Sequence, residues 1–317
     1  MDILYIITGL VLVLLGAHLL TEGCAATAER FGVSQFVIGL TVIAIGTSMP
    51  EFVVSAVATV KGNNDLAVGN VVGSNIFNIF VIMGMCAVIA PIPLTKNNIR
   101  FDIPFTLAAS VLLFIFTSDR LFHTGDADRI SRGEGVLMFL FYVAVIAYSV
   151  YASADRRAPH ERPRPRMKAA KAAVFILFGL GGLVGGSELF VDGATDFAKR
   201  MGLSQSLIAI TLVAGGTSLP ELASGLTAVI KGHRDMALGN ILGSNIFNIL
   251  FILGGCSIFR PMPLGSIDTV DIMMVLLSAL LPLIFSFTFN GRKINRVEGL
   301  ILLTIYGLFL RHLILKQ

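Results

Sequence analysis

The chain carries GTSMPE at 46–51 and, 170 residues later, GTSLPE at 216–221. The longer stretch DLAVGNVVGSNIFN at 65–78 returns at the same offset as DMALGNILGSNIFN at 235–248, identical at ten of fourteen positions. Both copies set Glu, Thr, Ser and Asn into runs that are otherwise apolar. A charged carboxylate at the centre of a membrane span costs at least about 2.5–3.5 kcal/mol on insertion scales. Two of them at equivalent positions, Glu51 and Glu221, are hard to explain as packing. Oxygen donors at matching depths in two halves of a chain form the pattern of an ion site in a transporter.

The repeat extends outward from these stretches. Gly16 matches Gly186, GVSQ at 32–35 matches GLSQ at 202–205, and PIP at 91–93 matches PMP at 261–263. Further on the offset falls to 164, where GEG at 133–135 corresponds to VEG at 297–299. The length difference sits in the loop after the fourth apolar run, where insertions are tolerated. Runs long enough to cross a bilayer as helices are expected at 2–20, 36–60, 66–90, 102–117 and 134–152, and again at 171–190, 206–230, 236–259, 269–288 and 297–314. An open sheet is excluded in lipid because backbone groups need internal partners there. The sequence thus predicts an all-α membrane protein of ten transmembrane helices. Its first five-helix repeat is 1–153 with its motif at 41–80, and its second is 171–317 with its motif at 211–250. Between them lies a polar, basic, Pro-rich linker at 154–170, a composition that does not pack. Five spans per half is an odd number, so the second half enters the membrane from the opposite side as an inverted repeat. Four spans and a re-entrant loop per half is the alternative count.

Composition agrees. The 317 residues are 55% hydrophobic and 14% charged, with no Trp and a mean hydropathy of +0.83, where a soluble domain carries about a quarter charged residues. The net charge of +4 does not indicate nucleic acid, because the basic residues lie in loops without interleaved aromatics. Cys24, Cys86 and Cys256 lie in or beside apolar segments and read as small packing residues rather than a disulfide or metal framework. The N-terminal run lacks the positive start of a signal peptide and has a repeat counterpart near 172–190, so it reads as a retained first helix. Lysines and arginines divide 15 on the linker side to 9 on the other. By the positive-inside rule the linker is cytoplasmic and both termini outside, in an integral, multi-pass protein of the plasma (inner) membrane.

Ala44, Thr47, Ser48 and Glu51 are spaced i, i+3, i+4, i+7 and would share one helix face; Ala214, Thr217, Ser218 and Glu221 repeat the stripe. Gly46 with Pro50, and Gly216 with Pro220, break helical regularity in the same turns, since proline removes an amide donor. The expected consequence is that backbone carbonyls such as those of Ala44 and Ala214 are freed to face a cation. Asn70, Ser74 and Asn78, with mates Asn240, Ser244 and Asn248, form a second polar face. All these donors are hard oxygens, which suit Ca²⁺; no His or Cys joins them, which argues against zinc or copper. The plainer reading is that protonated glutamates and small hydroxyls serve helix packing. Asn75 and Asn245 lie off the second face and are expected to bond neighbouring backbone. His18 and its mate Glu188 read as a polar helix contact or as proton or gating groups, and Asp65 and Asp235 as helix-start residues that favour the dipole, with capping their expected role. No base accompanies Ser48 or Ser218, so the motif does not read as an enzyme.

The paired GTSxPE and GNxxGSNIFN blocks resemble the alpha repeats of the sodium/calcium exchangers, within the cation/calcium antiporter superfamily. The resemblance covers nearly the whole chain. It implies a secondary antiporter that exchanges Na⁺ for Ca²⁺ by alternating access, with no cofactor beyond the transported ions, which compete for one central site. It also implies the ligands, matched by motif position: Ala44 (carbonyl), Thr47, Ser48, Glu51, Ser74, Asn78, Ala214, Thr217, Ser218, Glu221, Ser244 and Asn248. In that family the first and sixth helices slide across the rest of the fold. Several members carry an acid at the position of Asn78 or Asn248; here both are amides. A proton-coupled cation exchanger on the same fold is the nearest alternative, and a cation channel is another.

Overall fold

The computed structural model describes residues 2–118, 128–154, 167–201, 214–264, 267–288 and 292–316. Most of the linker, the repeat copy at 202–205 and the start of the seventh predicted span at 206–213 lie outside them. In the first half the elements are α1 (Asp2–Phe31), α2 (Gln35–Thr47), α3 (Met49–Lys61), α4 (Asn64–Ile89), β1 (Ile92–Pro93), α5 (Asn98–Phe116), β2 (Arg129–Ile130) and α6 (Arg132–Ala154). In the second they are α7 (Ala169–Arg200), α8 (Ala214–Thr217), α9 (Leu219–Ile230), α10 (Arg234–Phe259), β3 (Met262–Pro263), α11 (Thr269–Phe285), β4 (Lys293–Ile294) and α12 (Arg296–Lys316).

Among the described residues, seven helices are long and apolar enough to cross a bilayer: α1, α4, α5, α6, α7, α10 and α12. The count is eight if α2 and α3, which meet at a 48° bend, form one span. The side chains of Leu10, Leu14 and Leu15 on α1 and Leu308 on α12 are exposed, as lipid-facing residues are and as water would penalise. The first and sixth helices run beyond the predicted spans 2–20 and 171–190, continuing to Phe31 and Arg200. Alanines at 25, 26 and 28 sustain the helix where the hydropathy signal fades.

The chain divides into two compact units, each drawing on both halves of the sequence: one of Met1–Pro50 with Ser149–Ile241, the other of Glu51–Tyr148 with Leu242–Gln317. The first unit is organised by α1 and α7. A Cβ at Gly9 would lie 2.5 Å from Phe190 N, one at Gly16 2.6 Å from Leu183 N, and one at Gly23 2.8 Å from the Ala172 carbonyl. Contacts move down α7 as they move up α1, so the two helices run antiparallel. Gly179, Gly186 and Gly193 answer from α7, a Cβ at each meeting α1 backbone within 2.9 Å. Both sets recur every seven residues, the period of a seam that stays facing a partner helix, and glycine there lets the backbones touch. Val13, Ala17, Leu20, Cys24, Ile43 and Leu183 close the core around the seam. At its edge Lys231 Nζ sits 2.6 Å from Glu22 Oε1 and 3.4 Å from His18 Nε2. That is the polar helix contact that His18 suggested.

The second unit is tied at its ends. Strand β1 pairs antiparallel with β4, Ile92 opposite Ile294, and β2 with β3, Ile130 opposite Met262. Each pair joins a loop of one half to a loop of the other. Equivalent capping boxes start the helices that follow. Ser131 N donates to Glu134 Oε2 at 2.7 Å and Asn295 N to Glu298 Oε2 at 2.7 Å. The cap of α4 is Asn63, whose side chain accepts from Leu66 N at 3.2 Å; Asp65 is instead a first-turn residue, placed to favour the dipole. Cys24, Cys86 and Cys256 are buried thiols, in keeping with their reading as packing residues.

Candidate functional site

Both GTSxPE copies break the helix at the serine. Ser48, between α2 and α3, has φ −83° and ψ 10°; Ser218, between α8 and α9, has φ −89° and ψ 8°. The prolines two residues on fall in the first turn of the next helix, where a missing N–H costs nothing. The predicted stripe from Ala44 to Glu51 is therefore not one straight face, because the bend divides it. Nor does the break release the Ala44 carbonyl, which accepts from Ser48 N at 3.0 Å. Pro50 has no N–H, so the carbonyl that loses its i+4 donor is that of Gly46, and by the same arithmetic Pro220 affects Gly216. Ala44 retains a second lone pair for another partner.

The first unit gathers one polar cluster. Ser48 Oγ donates to Glu221 Oε1 at 2.7 Å, across 173 residues of sequence. Thr47 Oγ1 lies 3.0 Å from the Ile43 carbonyl and 3.3 Å from Asn240 Oδ1. Asn240 Nδ2 donates to Ser224 Oγ at 2.9 Å, and Ser224 Oγ donates to the Glu221 carbonyl at 3.1 Å. Thr47, Ser48, Ser218, Glu221 and Asn240 are all buried, and Thr217 is half-buried. Ala214 is the first residue of α8.

The second unit gathers another. Ser74 Oγ lies 3.5 Å from Glu51 Oε1. Asn70 Nδ2 has two hydrogens and two acceptors, the Glu51 carbonyl at 3.1 Å and Ser55 Oγ at 3.0 Å. Asn78 Nδ2 donates to Asn245 Oδ1 at 3.0 Å. Asn78 opens a π-helical turn, Asn78–Met83, and Asn248 lies in its counterpart, Phe247–Leu253. Such wide turns collect at functional positions, and no spacing rule applied to the sequence indicated them. Ser244 Oγ, both amide atoms of Asn248 and Asn78 Oδ1 are buried with no hydrogen-bond partner among the described residues. A buried polar atom left so costs about 1–3 kcal/mol.

The structure thus brings Thr47, Ser48 and Glu221 together in one unit, and in the other Glu51 with Ser74 and Asn78 with Asn245. Sequence reasoning missed Ser55 and Ser224. They stand one turn beyond each glutamate but at offsets that are not repeat mates, since Val54 and Gly225 occupy the matching positions. Asn75 behaves as expected, donating to the Val71 carbonyl at 2.7 Å. Asn245 does more than expected, because it also accepts from a candidate ligand.

With this geometry in place, comparison with known proteins decides the family. The model of the sodium/calcium exchanger protein family matches residues 1–151 and 171–315. The chain belongs to that family. It is 37% identical to the CaxA protein of Alkalimonas amylolytica, covering 96% of this chain and 95% of that one. It is 31% identical to the sodium/calcium exchanger MaX1 of Methanosarcina acetivorans, covering 98% and 97% respectively. Among solved structures, the sodium-calcium exchanger NCX_Mj soaked with 10 mM Na⁺ and zero Ca²⁺ matches with a TM-score of 0.85 at 32% identity, over 98% of each chain. This family member is a transporter and a multi-pass integral membrane protein.

Proposed function

We propose that the protein is a secondary antiporter that exchanges Na⁺ for Ca²⁺ by alternating access. The two ions compete for the carboxylates of Glu51 and Glu221. The observation that carries this reading is the burial of both glutamates, 0% and 1% exposed, within apolar helices, each with a serine hydroxyl at its carboxylate. The donor set we assign is Ala44, Thr47, Ser48, Glu51, Ser74 and Asn78 with Ala214, Thr217, Ser218, Glu221, Ser244 and Asn248. These are oxygen donors of the kind that replace water around a hard cation. MaX1 and NCX_Mj are both named as sodium/calcium exchangers, which supports the ion pair.

The same reading takes the chain as ten spans in two inverted repeats, 1–153 and 171–317, joined by the cytoplasmic linker 154–170, with both termini outside. Three observations support it. The repeat mates α1 and α7 run antiparallel, as inversion requires. Strands β1 and β4 lie in loops that the ten-span order assigns to the linker side, and β2 and β3 in loops assigned to the other. Glu22 and Lys231, which pair, also fall on the linker side.

The charge of the set bears on stoichiometry. Glu51 and Glu221 supply −2 when ionised, which balances one Ca²⁺ or two Na⁺; a third Na⁺ would leave +1 in low dielectric, at a cost. With amides at 78 and 248, the set favours exchange near two sodium per calcium, or binds a third sodium only weakly. The test is ⁴⁵Ca²⁺ uptake into sodium-loaded proteoliposomes at set membrane voltages, with and without a pH gradient. Sodium-driven, saturable uptake without voltage dependence is expected. Each net charge moved would contribute about 2.3 kcal/mol per 100 mV, so clear voltage sensitivity would refute electroneutrality. Uptake that runs on the pH gradient without sodium would replace this reading with proton coupling.

A further inference from the structure

A side-chain amide can face a cation with either end, and only its oxygen is a ligand. The second unit contains a device that settles which end Asn78 turns. Asn245 Nδ2 donates to the backbone carbonyl of Asn75 at 3.3 Å. A backbone carbonyl can only accept, so the end of Asn245 that faces Asn75 is its NH₂ group. The other end, Oδ1, therefore faces Asn78. Asn78 answers with its own NH₂, at 3.0 Å, and its Oδ1 is left buried with no partner among the described residues. The polarity of both amides is thus fixed from a single backbone anchor. Asn78 and Asn245 are 1% and 2% exposed, so water does not compete for these bonds. The mate arrangement is not made: both amide atoms of Asn248 and the Oδ1 of Asn75 have no partner among the described residues.

We infer that Asn245 is a positioning residue that locks the Asn78 amide with its oxygen presented to the transported cation. The inference rests on the cation-antiporter reading above. Without Asn245 the Asn78 amide is free to rotate and offer N–H groups, which repel a cation.

The experiment measures Na⁺-displaceable ⁴⁵Ca²⁺ binding to the purified full chain, with thermal unfolding and size-exclusion profile as folding controls. Asn245→Ala is expected to weaken Ca²⁺ binding by about tenfold or more, the usual range when a group orienting a metal ligand is lost. The discriminating variant is Asn78→Asp. A carboxylate has two equivalent oxygens and needs no orienting, so adding Asn245→Ala to Asn78→Asp is expected to cost no affinity or to gain some. An equal loss in both backgrounds would show that Asn245 acts by packing and would overturn the inference, as would unchanged affinity in Asn245→Ala alone. If the unmutated chain binds no Ca²⁺ that Na⁺ displaces, the functional reading falls and this inference falls with it. If it binds Ca²⁺ and only the Asn245 pattern fails, the inference alone is lost.

Discussion

The two glutamate clusters are built from one repeated sequence yet differ in structure. In the first unit Glu221 is met by Ser48, a residue of the other half, at 2.7 Å, an ordinary O–H···O distance. In the second unit Glu51 is met by Ser74, a residue of its own half, at 3.5 Å, beyond that range. Asn70 bonds the Glu51 carbonyl directly, whereas its mate Asn240 reaches the Glu221 carbonyl through Ser224. Asn240 is buried and Asn70 half-buried. The lesson is that a duplicated motif sets the inventory of groups but not their environment.

The largest effect should come from the carboxylates. Glu221→Gln and Glu51→Gln are each expected to reduce Na⁺-driven Ca²⁺ uptake to background in proteoliposomes. If either variant retained uptake within about twofold of the unmutated chain, its cluster would leave the transport mechanism and the two clusters would not be functional equivalents.

Next in size is the contrast between the two serines. A hydrogen bond to a charged group contributes about 1.5–3 kcal/mol, roughly ten- to 150-fold in an equilibrium constant. Ser48→Ala should raise the Ca²⁺ concentration for half-maximal uptake by something of that order, and Ser74→Ala by clearly less. Equal effects would show that the difference in distance carries no energy.

The glycine seam belongs to the first unit and offers a stability test. Gly16→Ala would place a methyl carbon 2.6 Å from Leu183 N, and overpacking of this kind costs about 1–3 kcal/mol. A lowered midpoint of thermal unfolding is expected. At Gly181, on the partner helix of the seam, an added methyl carbon would meet nothing within 4 Å. Alanine there should be neutral or slightly stabilising. The smallest loss is expected from the pair at the seam's edge. Lys231→Met removes an ion pair whose side chains are 19% and 35% exposed. It should cost no more than about 1 kcal/mol, with the loss shrinking as salt is raised.

Much of this was legible in the chain. The apolar runs marked the spans, because the bilayer imposes one length and one polarity on any crossing helix. The doubled motif singled out Glu51 and Glu221, and both are buried. What was not legible depended on neighbours distant in sequence. Ser55 and Ser224 carry no repeat signal. The π-helical turns at Asn78 and Asn248 leave no mark in side-chain periodicity. Ala44 was expected to lose its backbone donor, but the chain turned at Ser48 and kept that bond.

The sequence by itself determined the membrane class, the duplication and the set of hard oxygen donors. Those follow from composition, period and the cost of burying charge, which are properties of residue types. Only the tertiary structure decided that Ser48 reaches Glu221, that Asn245 accepts from the amide of Asn78, and that the two copies differ. Hydrogen-bond direction and distance depend on which helices meet and at what depth, and a linear repeat fixes neither.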